Sequence, residues 1–249
     1  MKFAGLTGGI ASGKTTVSRI LENNSIPIID ADIIAREVVL PGRRAYQLIV
    51  KRFGSDVLLS DGNIDRPKLG SIIFADAEKR KMLNQCTHPY IRMEILRLFI
   101  YYWLTGQKVV VLDAPLLIES GLDRFVNVVI VVYCSEILQL HRLKARSGLS
   151  DVEATQRIRA QIPLSDKARR ATYVIDNSGE LEETERQVLE LARKIQPSMA
   201  RWLIEWMGPP VALAVVAGWA WYGVRRGVIE AVVKYGVENW LMGDMARDS

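Results

Sequence analysis

The sequence predicts an α/β protein in which helices flank a parallel β-sheet, and three observations support this fold class. Short apolar runs typical of buried strands alternate with segments of helical periodicity. A glycine-rich segment of the pattern G-x-x-x-x-G-K-T, residues 8–15, directly follows the first of these runs. With 249 residues, 49% of them hydrophobic, the chain is long enough for one domain of ordinary size and an appendage.

Five strands are predicted, at residues 3–7, 26–29, 109–112, 128–133 and 173–175. Residues 42–106 contain no good strand pattern and several helical segments, among them 75–86 and 90–104. A second helical insertion, rich in arginine, is predicted at 135–170. Because ligands of such sheets bind at the carboxyl ends of the strands, we expect both insertions to form walls over the glycine-rich segment. Together these elements are predicted to form one domain, residues 1–198.

The glycine-rich segment is typical of a P-loop, which binds the phosphates of a nucleotide. Its backbone N–H groups point at the β-phosphate, Lys14 bridges the β- and γ-phosphates, and the Thr15 hydroxyl reaches Mg²⁺. A chance match in a glycine-containing turn is the alternative. The strand before the motif and the amphipathic helical pattern after it favour a site for a nucleoside triphosphate with Mg²⁺. The residues predicted to bind the nucleotide here are Gly8, Gly9, Ile10, Ala11, Ser12, Gly13, Lys14, Thr15 and Thr16.

Carboxylates follow two of the predicted strands. The second strand ends in Asp30-Ala31-Asp32, and a carboxylate there faces the P-loop, where it can accept the proton of an attacking hydroxyl or order Mg²⁺ waters. One of the two aspartates often only caps the following helix, and Asp30 is the better candidate for that role. Asp113 ends the third strand, where it is predicted either as a carboxylate near the metal or as a hydrogen-bonding partner of the loop.

Basic residues are concentrated in the second insertion. Phosphoryl transfer builds charge on the moving phosphate, and arginines that close over it supply hydrogen-bond donors and exclude water. Arg142 and Arg146 are four residues apart and share a helix face, as a clamp requires. A solvated surface charge is the alternative for each of these residues. The set consists of Arg142, Arg146, Arg157, Arg159 and Lys167.

Composition argues against several other classes of protein. The net charge of +5 is mild, and basic residues are not interleaved with aromatic ones, so we expect no nucleic-acid partner. Cys86 and Cys134 signal neither a disulfide framework nor a zinc site. The chain has only two histidines, His88 and His141, which lie far apart in the sequence, so a Ser-His-Asp arrangement is not expected. The first predicted strand begins at the N-terminus, so we expect no signal peptide and folding in the cytosol.

Taken together, the motifs resemble those of the dephospho-CoA kinase family. Matching segments stand in that family's order and spacing at residues 6–15, 29–36, 88–89, 115–119, 157–161 and 174–177. They read LTGGIASGKT, IDADIIAR, HP, PLLIE, RIRAQ and VIDN. The Asp-Ala-Asp and Pro-Leu-Leu elements are much more specific than the P-loop alone. The resemblance covers about residues 1–195.

The resemblance implies an enzyme that phosphorylates the ribose 3′-hydroxyl of dephospho-CoA with ATP, the last step of coenzyme A synthesis. It implies Asp32 as the catalytic base, the first insertion as the binding site of dephospho-CoA and the second insertion as a lid. Lys14 and Arg142 are the other catalytic residues predicted, and Thr15 is the metal ligand, with Asp32 or Asp113 acting through water. Further substrate contacts are implied for Asp32, Arg36, His88, Pro115, Leu116, Arg157 and Gln161, and nucleotide contacts for Arg146 and Asn177.

Two residues depart from the family pattern. Ala11 stands where a glycine is usual, which is tolerable if the backbone there keeps a negative φ. Thr172 replaces an aspartate that is usual before Tyr-Val-Ile-Asp-Asn, and this departure bears on contacts at the nucleotide-base end.

Two other functions remain as alternatives. Another P-loop kinase, for a nucleoside monophosphate or a small metabolite, has no reason to carry both the Asp-Ala-Asp and the Pro-Leu-Leu elements. A non-catalytic ATP-binding membrane adaptor has no need of Lys14, Thr15, Asp32 and the lid arginines, all of which are present.

The chain changes character after residue 198. Five of the six tryptophans lie in the last 51 residues, and residues 206–224 contain no charge. The clean helical part of that run, residues 211–224, reaches only ~21 Å, less than the ~30 Å hydrocarbon core of a bilayer. Arg225, Arg226 and an amphipathic helical pattern follow. We therefore predict that a hydrophobic helical tail, residues 199–249, attaches to a membrane through residues 202–242 while the domain faces the cytosol. A soluble helical hairpin packed on the domain is the alternative.

Overall fold

A computed structural model gives the structure of residues 1–208 and 210. Strands alternate with helices, as the sequence predicts. Two short 3₁₀ turns, Ser55–Val57 and Leu122–Phe125, lie between these elements. The elements in chain order are β1 (Lys2–Gly8), α1 (Lys14–Asn23), β2 (Ile28–Asp30), α2 (Ala31–Glu37), α3 (Arg44–Phe53), α4 (Arg66–Ala75), α5 (Ala77–Leu104), β3 (Val109–Asp113), β4 (Val128–Tyr133), α6 (Glu136–Ser147), α7 (Asp151–Arg159), α8 (Leu164–Arg170), β5 (Tyr173–Asp176) and α9 (Leu181–Ile195).

The five strands form one parallel sheet in the order β2-β3-β1-β4-β5. This confirms the predicted strands, although β2 begins at Ile28, two residues later than predicted. The register pairs Leu6 with Asp113 and Asp113 with Asp30. The carboxyl ends of β1, β2 and β3 therefore meet at one edge of the sheet, and the P-loop follows β1 at that edge.

Residues of the central strand β1 pack alternately on the two faces of the sheet. Ala4 and Leu6 belong to an apolar cluster that includes Val17 of α1 and Leu191 of α9. Phe3 belongs to a second cluster on the opposite face, with residues of α2 and α5. All residues of β3 are buried, as expected for a strand that helices cover on both faces.

The first insertion folds as α3, α4 and α5 around its own apolar cluster. The sequence predicts two helices over 75–86 and 90–104, but the structure has the single 28-residue helix α5, with Pro89 inside it. A proline in a helix interior removes one backbone hydrogen bond and normally kinks or ends the helix. Here the helix continues because it packs on both sides of the proline, through Cys86 on the insertion's cluster and through Ile95 on the sheet's cluster.

The arginine-rich insertion folds as α6, α7 and α8, which confirms its predicted helical character. The Ser150 hydroxyl accepts a hydrogen bond from the Glu153 N–H, and the Glu153 carboxylate accepts one from the Ser150 N–H. This capping box fixes the start of α7. Gly148, at φ 62, adopts the left-handed conformation that commonly ends a helix, here α6.

Met1–Pro197 forms one compact unit, and the chain from Ser198 onward belongs to a second. In the second unit residues 199–208 are helical, and the rings of Trp202 and Trp206 stack with their centroids 5.4 Å apart. Among the residues that the structure describes, no helix has both the length and the apolar character needed to cross a bilayer. Most of the predicted membrane segment, residues 202–242, lies outside the described residues.

Candidate active site

A cavity of about 670 Å³ lies over the P-loop at the carboxyl end of β1. Helix α1 begins at Lys14, and the N–H groups of a first helical turn have no acceptors within the helix, so they can bind an anion. Gly13 turns the chain into α1 at φ 92, and a Cβ there would collide with the Asn177 side chain. The cavity is lined by Gly9, Ile10, Ala11, Ser12, Gly13, Lys14, Thr15, Asp32, Arg36, Pro115, Arg142, Arg146 and Gln161.

Lys14, which lines this cavity, pairs with the buried Asp113. The distance from Lys14 Nζ to Asp113 Oδ1 is 2.5 Å. Burial raises the pKa of the Asp113 carboxyl, while the charge of Lys14 and its hydrogen bond act in the opposite direction. The pKa lies above its ordinary value because the cost of desolvation outweighs the pairing. Asp113 thus holds the Lys14 amine over the loop that is expected to bind phosphates.

The two aspartates that follow β2 have different environments. Asp30 Oδ1 accepts hydrogen bonds from the N–H groups of Asp32 at 2.8 Å and Ile33 at 2.9 Å, so Asp30 is the N-cap of α2. Asp32 lies in the first turn of α2 and lines the P-loop cavity. The capping role expected for Asp30 is therefore what the structure shows, and Asp32 is left facing the site.

Ala11 does not meet the condition of a negative φ under which an alanine is tolerable at this position. Its φ is 59°, in the left-handed region that favours glycine. For a residue with a Cβ this conformation costs about 1–2 kcal/mol. The loop therefore keeps a glycine-like backbone although the residue is an alanine.

Two glutamines of the arginine-rich insertion hold the backbone of Ile10. Gln139 Nε2, on α6, donates to the Ile10 carbonyl at 2.8 Å, and the Ile10 N–H donates to Gln161 Oε1 at 2.9 Å. Both backbone polar groups of Ile10 are thereby satisfied, which fixes the orientation of the two peptide units on either side of it. Gln139 could not be identified from the sequence, because a glutamine on an amphipathic helix belongs to no motif. The predicted contact of Gln161 with the acceptor stays a prediction.

Asn177 supports the other end of the P-loop. Its Nδ2 donates to the Ser12 carbonyl at 2.8 Å, and its Oδ1 accepts from the Thr184 hydroxyl at 2.9 Å. Arg142 donates to the Asn177 carbonyl at 3.0 Å. Asn177 is buried and does not line the P-loop cavity. It contacts the loop from behind, and its predicted contact with the nucleotide stays a prediction.

Lys167 of α8 is completely buried beneath the site. Its ammonium donates to the carbonyl oxygens of Gly8 and Pro115, both at 3.2 Å, and lies 2.7 Å from a Glu119 carboxylate oxygen. The Thr7 hydroxyl also donates to the Pro115 carbonyl, at 2.9 Å. From the sequence, Lys167 belongs to the set of basic residues predicted to close over the transferred phosphate. The structure places it below the loop instead, where it joins three segments of the chain.

The two arginines of the predicted clamp lie together at the P-loop cavity. Arg142 and Arg146 of α6 line it, as does Arg36 of α2. Arg159 lines a second cavity, which shares Gly9 and Gln161 with the P-loop cavity, and Arg157 of α7 lines neither of the two. The predicted substrate contact of Arg157 therefore stays a prediction.

A smaller cavity of about 150 Å³, here called the acceptor cavity, adjoins the P-loop cavity beside α5. Asp32 and Pro115 line both cavities. His88 and Leu116, two of the predicted substrate contacts, line the acceptor cavity together with Arg92, which the sequence analysis did not identify. The structure thus places a carboxylate at the junction between the P-loop and a second binding space.

The positive charge of the acceptor cavity comes from Arg92. Burial lowers the pKa of His88 below its ordinary value of 6.5, and the nearby charge of Arg92 lowers it further. His88 is therefore neutral at neutral pH, so it offers hydrogen bonds without a charge.

Thr172 lies away from this site. Its N–H donates to the Val129 carbonyl at 2.8 Å, and its hydroxyl accepts from the Val129 N–H at 3.1 Å. Thr172 directly precedes β5, at the amino end of that strand, whereas the P-loop lies at the carboxyl ends of the strands. In the structure Thr172, which departs from the family pattern, thus helps to pair β5 with β4.

Comparisons with known proteins point to one family. The sequence model of the family described as dephospho-CoA kinase matches residues 2–183. The chain belongs to the dephospho-CoA kinase family. A dephospho-CoA kinase of Bacillus cereus is 52% identical over 184 residues, which are 74% of this chain and 92% of that protein. The solved structure of a dephospho-CoA kinase from Campylobacter jejuni is 29% identical, with a TM-score of 0.61, and the match covers 78% of this chain and 96% of that one.

The similarity to one family member reaches beyond the segment that carries the motifs. A Danio rerio protein named dephospho-CoA kinase domain-containing protein is 49% identical over 219 residues, 88% of this chain and 94% of that protein. A match of that length is longer than residues 1–198 and therefore includes part of the following segment.

Proposed function

We propose that this chain transfers the γ-phosphoryl group of ATP to the ribose 3′-hydroxyl of dephospho-CoA, which yields coenzyme A and ADP. Membership of the dephospho-CoA kinase family supports this reaction. The observation that carries the proposal is the position of Asp32, which lines both the P-loop cavity and the acceptor cavity. A carboxylate at that junction is accessible from the space of a phosphate donor and from the space of a hydroxyl acceptor.

In the proposed reaction Asp32 accepts the proton of the 3′-hydroxyl as its oxygen bonds to the γ-phosphorus. The bond between the γ-phosphorus and the bridging oxygen to the β-phosphate breaks, and ADP leaves with that electron pair. Asp32 then releases the proton to solvent. Lys14, Arg142 and Arg146 stabilise the negative charge of the transferred group, and they act more strongly in a cavity that excludes water.

Mg²⁺ is the proposed metal partner of ATP. The oxygen donors near the cavity suit a hard cation, because Thr15 and Asp32 line it and Asp113 contacts Lys14, which also lines it. Thr15 would bind the ion directly, and Asp32 or Asp113 would bind it through water. The ion would neutralise charge on the β- and γ-phosphates.

The test compares the two aspartates after β2. With ATP, Mg²⁺ and dephospho-CoA, we expect Asp32→Asn to bind ATP normally but to lose roughly 10²–10⁴-fold in kcat, because an amide cannot accept the proton. Asp30→Asn is the matched control, since asparagine caps helices as well as aspartate does. Formation of coenzyme A is followed by mass spectrometry. Nucleoside monophosphates and small-metabolite alcohols serve as alternative acceptors.

A greater loss in Asp30→Asn than in Asp32→Asn would show that the base is assigned to the wrong carboxylate. Faster turnover of an alternative acceptor than of dephospho-CoA would overturn the proposed substrate. ATP binding without transfer to any acceptor would instead favour a non-catalytic adaptor.

We also propose that the segment beyond residue 198 attaches the enzyme to a membrane, with the kinase domain on the cytosolic side. The support comes from the sequence. Residues 206–224 carry no charge, tryptophans lie near both ends of this run, and Arg225 and Arg226 follow it.

A further inference from the structure

An apolar groove of about 340 Å³ lies beside α5 and has no role in the proposed reaction so far. It is lined by Phe3 and Leu112 of the sheet, by Leu96 and Phe99 of α5, and by Phe125. Leu96 and Phe125 leave 56% and 68% of their surface open to solvent. Large apolar side chains that converge on one groove and remain this exposed indicate a binding surface.

The groove is a continuation of the acceptor cavity. Arg92 and Leu122 line both spaces. Along α5 the lining proceeds from His88 through Arg92 to Leu96 and Phe99, at spacings of four, four and three residues, so one face of the helix forms one wall throughout. Eleven residues of helix span roughly 16 Å. The two spaces are therefore successive parts of one channel.

The chemical character of this channel changes along its length. The end that meets the P-loop cavity carries the Asp32 carboxylate, Arg92 supplies a positive charge in the middle, and the far part is almost entirely apolar. Dephospho-CoA has the same order of parts: a ribose with its 3′-hydroxyl, then a diphosphate, then the alkyl-amide chain of pantetheine. A cation suits the diphosphate, and an apolar groove suits the gem-dimethyl and methylene groups of the chain.

We propose that the apolar groove binds the pantetheine arm of dephospho-CoA, with Arg92 beside the diphosphate. This inference rests on the proposed function and adds a specificity element to it. An adenosine nucleotide without the arm has no apolar chain to place in the groove, whereas dephospho-CoA gains additional buried apolar surface there. The groove thus allows the enzyme to prefer dephospho-CoA over other molecules that offer the same ribose hydroxyl.

The test uses the full-length chain with Leu96→Gln and Phe125→Gln combined. Both side chains are largely exposed, so the fold is expected to persist, and melting temperature checks this. Met93→Gln is the matched control, because Met93 also lies on α5, is 59% exposed and does not line the groove. We expect the KM for dephospho-CoA to rise about tenfold in the double variant, with the KM for ATP unchanged.

Two fragments of the substrate separate the parts of the channel. Both are tested as competitive inhibitors against dephospho-CoA at saturating ATP. We expect 4′-phosphopantetheine to bind the double variant about tenfold more weakly than the unaltered protein. We expect AMP to bind the two proteins with equal affinity. An unchanged KM for dephospho-CoA, or equal weakening of AMP and 4′-phosphopantetheine, would overturn the inference while leaving the proposed function intact. Failure of the unaltered protein to phosphorylate dephospho-CoA would overturn both.

Discussion

At the scale of single residues, the pair formed by Lys14 and Asp113 links the chemistry of the site to stability. The Asp113 carboxyl is buried, and its pKa is raised above the ordinary 3.8 even though Lys14 contacts it. The neighbouring Asp30, which is paired with Asp113 in the sheet register, also raises the pKa of Asp113. Removal of the ammonium leaves a buried carboxylate with no counter-charge, and that is costly unless the group takes up a proton.

We therefore expect Lys14→Met to abolish phosphoryl transfer and to make stability depend more strongly on pH. Loss of Lys14 raises the folded-state pKa of Asp113 further above the unfolded value, so the folded state binds more protons. Stability is then retained below pH 3.8 and is lost as pH rises through the raised pKa. The melting-temperature gap between variant and unaltered protein should widen from pH 4 to pH 8. Adding Asp113→Asn should remove most of this widening, and a gap independent of pH would contradict the argument.

Motif residues and supporting residues differ in how far the sequence predicts them. Lys14, Asp32 and Arg142 belong to patterns whose spacing follows from phosphate chemistry, and the structure places all three around one cavity. Gln139 and Lys167 act on backbone carbonyls of the P-loop. Such contacts depend on how segments distant in the sequence pack together, so no local sequence pattern predicts them.

At the scale of elements, helix α8 is attached to the P-loop edge of the sheet through Lys167. Its ammonium has three acceptors, on β1, on the segment after β3 and on Glu119. Breaking a buried ion pair by removing one partner costs about 3–5 kcal/mol, and the partial exposure of Glu119 places this case at the low end. Lys167 therefore fixes where the third helix of the arginine-rich insertion meets the P-loop.

We expect Lys167→Met to lower the melting temperature by about 10 °C, which is the shift that a loss of this size gives in a domain of this length. The matched control is Lys144→Met, since Lys144 of α6 pairs with Asp151 in an exposed salt bridge that contributes little. Thermal unfolding followed by circular dichroism measures both. Adding Glu119→Gln to Lys167→Met should restore part of the loss. Equal effects of the two lysine substitutions would contradict this role of Lys167.

Prediction of helices from the sequence has a physical limit that α5 illustrates. Proline has no N–H and clashes with the preceding turn, and Pro89 lies between the two helical segments predicted at 75–86 and 90–104. The structure keeps one helix because the helix packs on the sheet's cluster after the proline and on the insertion's cluster before it. Tertiary packing of this kind overrides local preference and is not visible in the local sequence.

At the scale of the whole molecule, the fold was predictable because its signals are local and repeated. Five buried apolar runs alternate with helices, and a parallel sheet is the arrangement that covers both faces of such strands. The apolar groove was not predictable, because it brings together residues of β1, β3, α5 and the 3₁₀ turn at Leu122–Phe125. The segment after residue 198 carries composition signals but no motif.

Because the chain divides into two units, we predict that the first unit catalyses the reaction without the second and that the second unit is needed for membrane attachment. Met1–Pro197 is compact by itself, and the match to the Bacillus cereus kinase covers 92% of that protein with only 184 residues. We expect truncation after Ser198 to leave kcat, both KM values and the melting temperature unchanged. The full-length chain should sediment with phosphatidylcholine–phosphatidylserine vesicles, whereas the truncated chain should stay in the supernatant.

Val215→Asp in the full-length chain places a charge inside the uncharged run and should also abolish sedimentation, because a charge there is costly in the apolar part of a bilayer. Unfolding of the truncated domain would show instead that the tail packs on it. Full-length protein that remains in the supernatant with vesicles would overturn the membrane proposal.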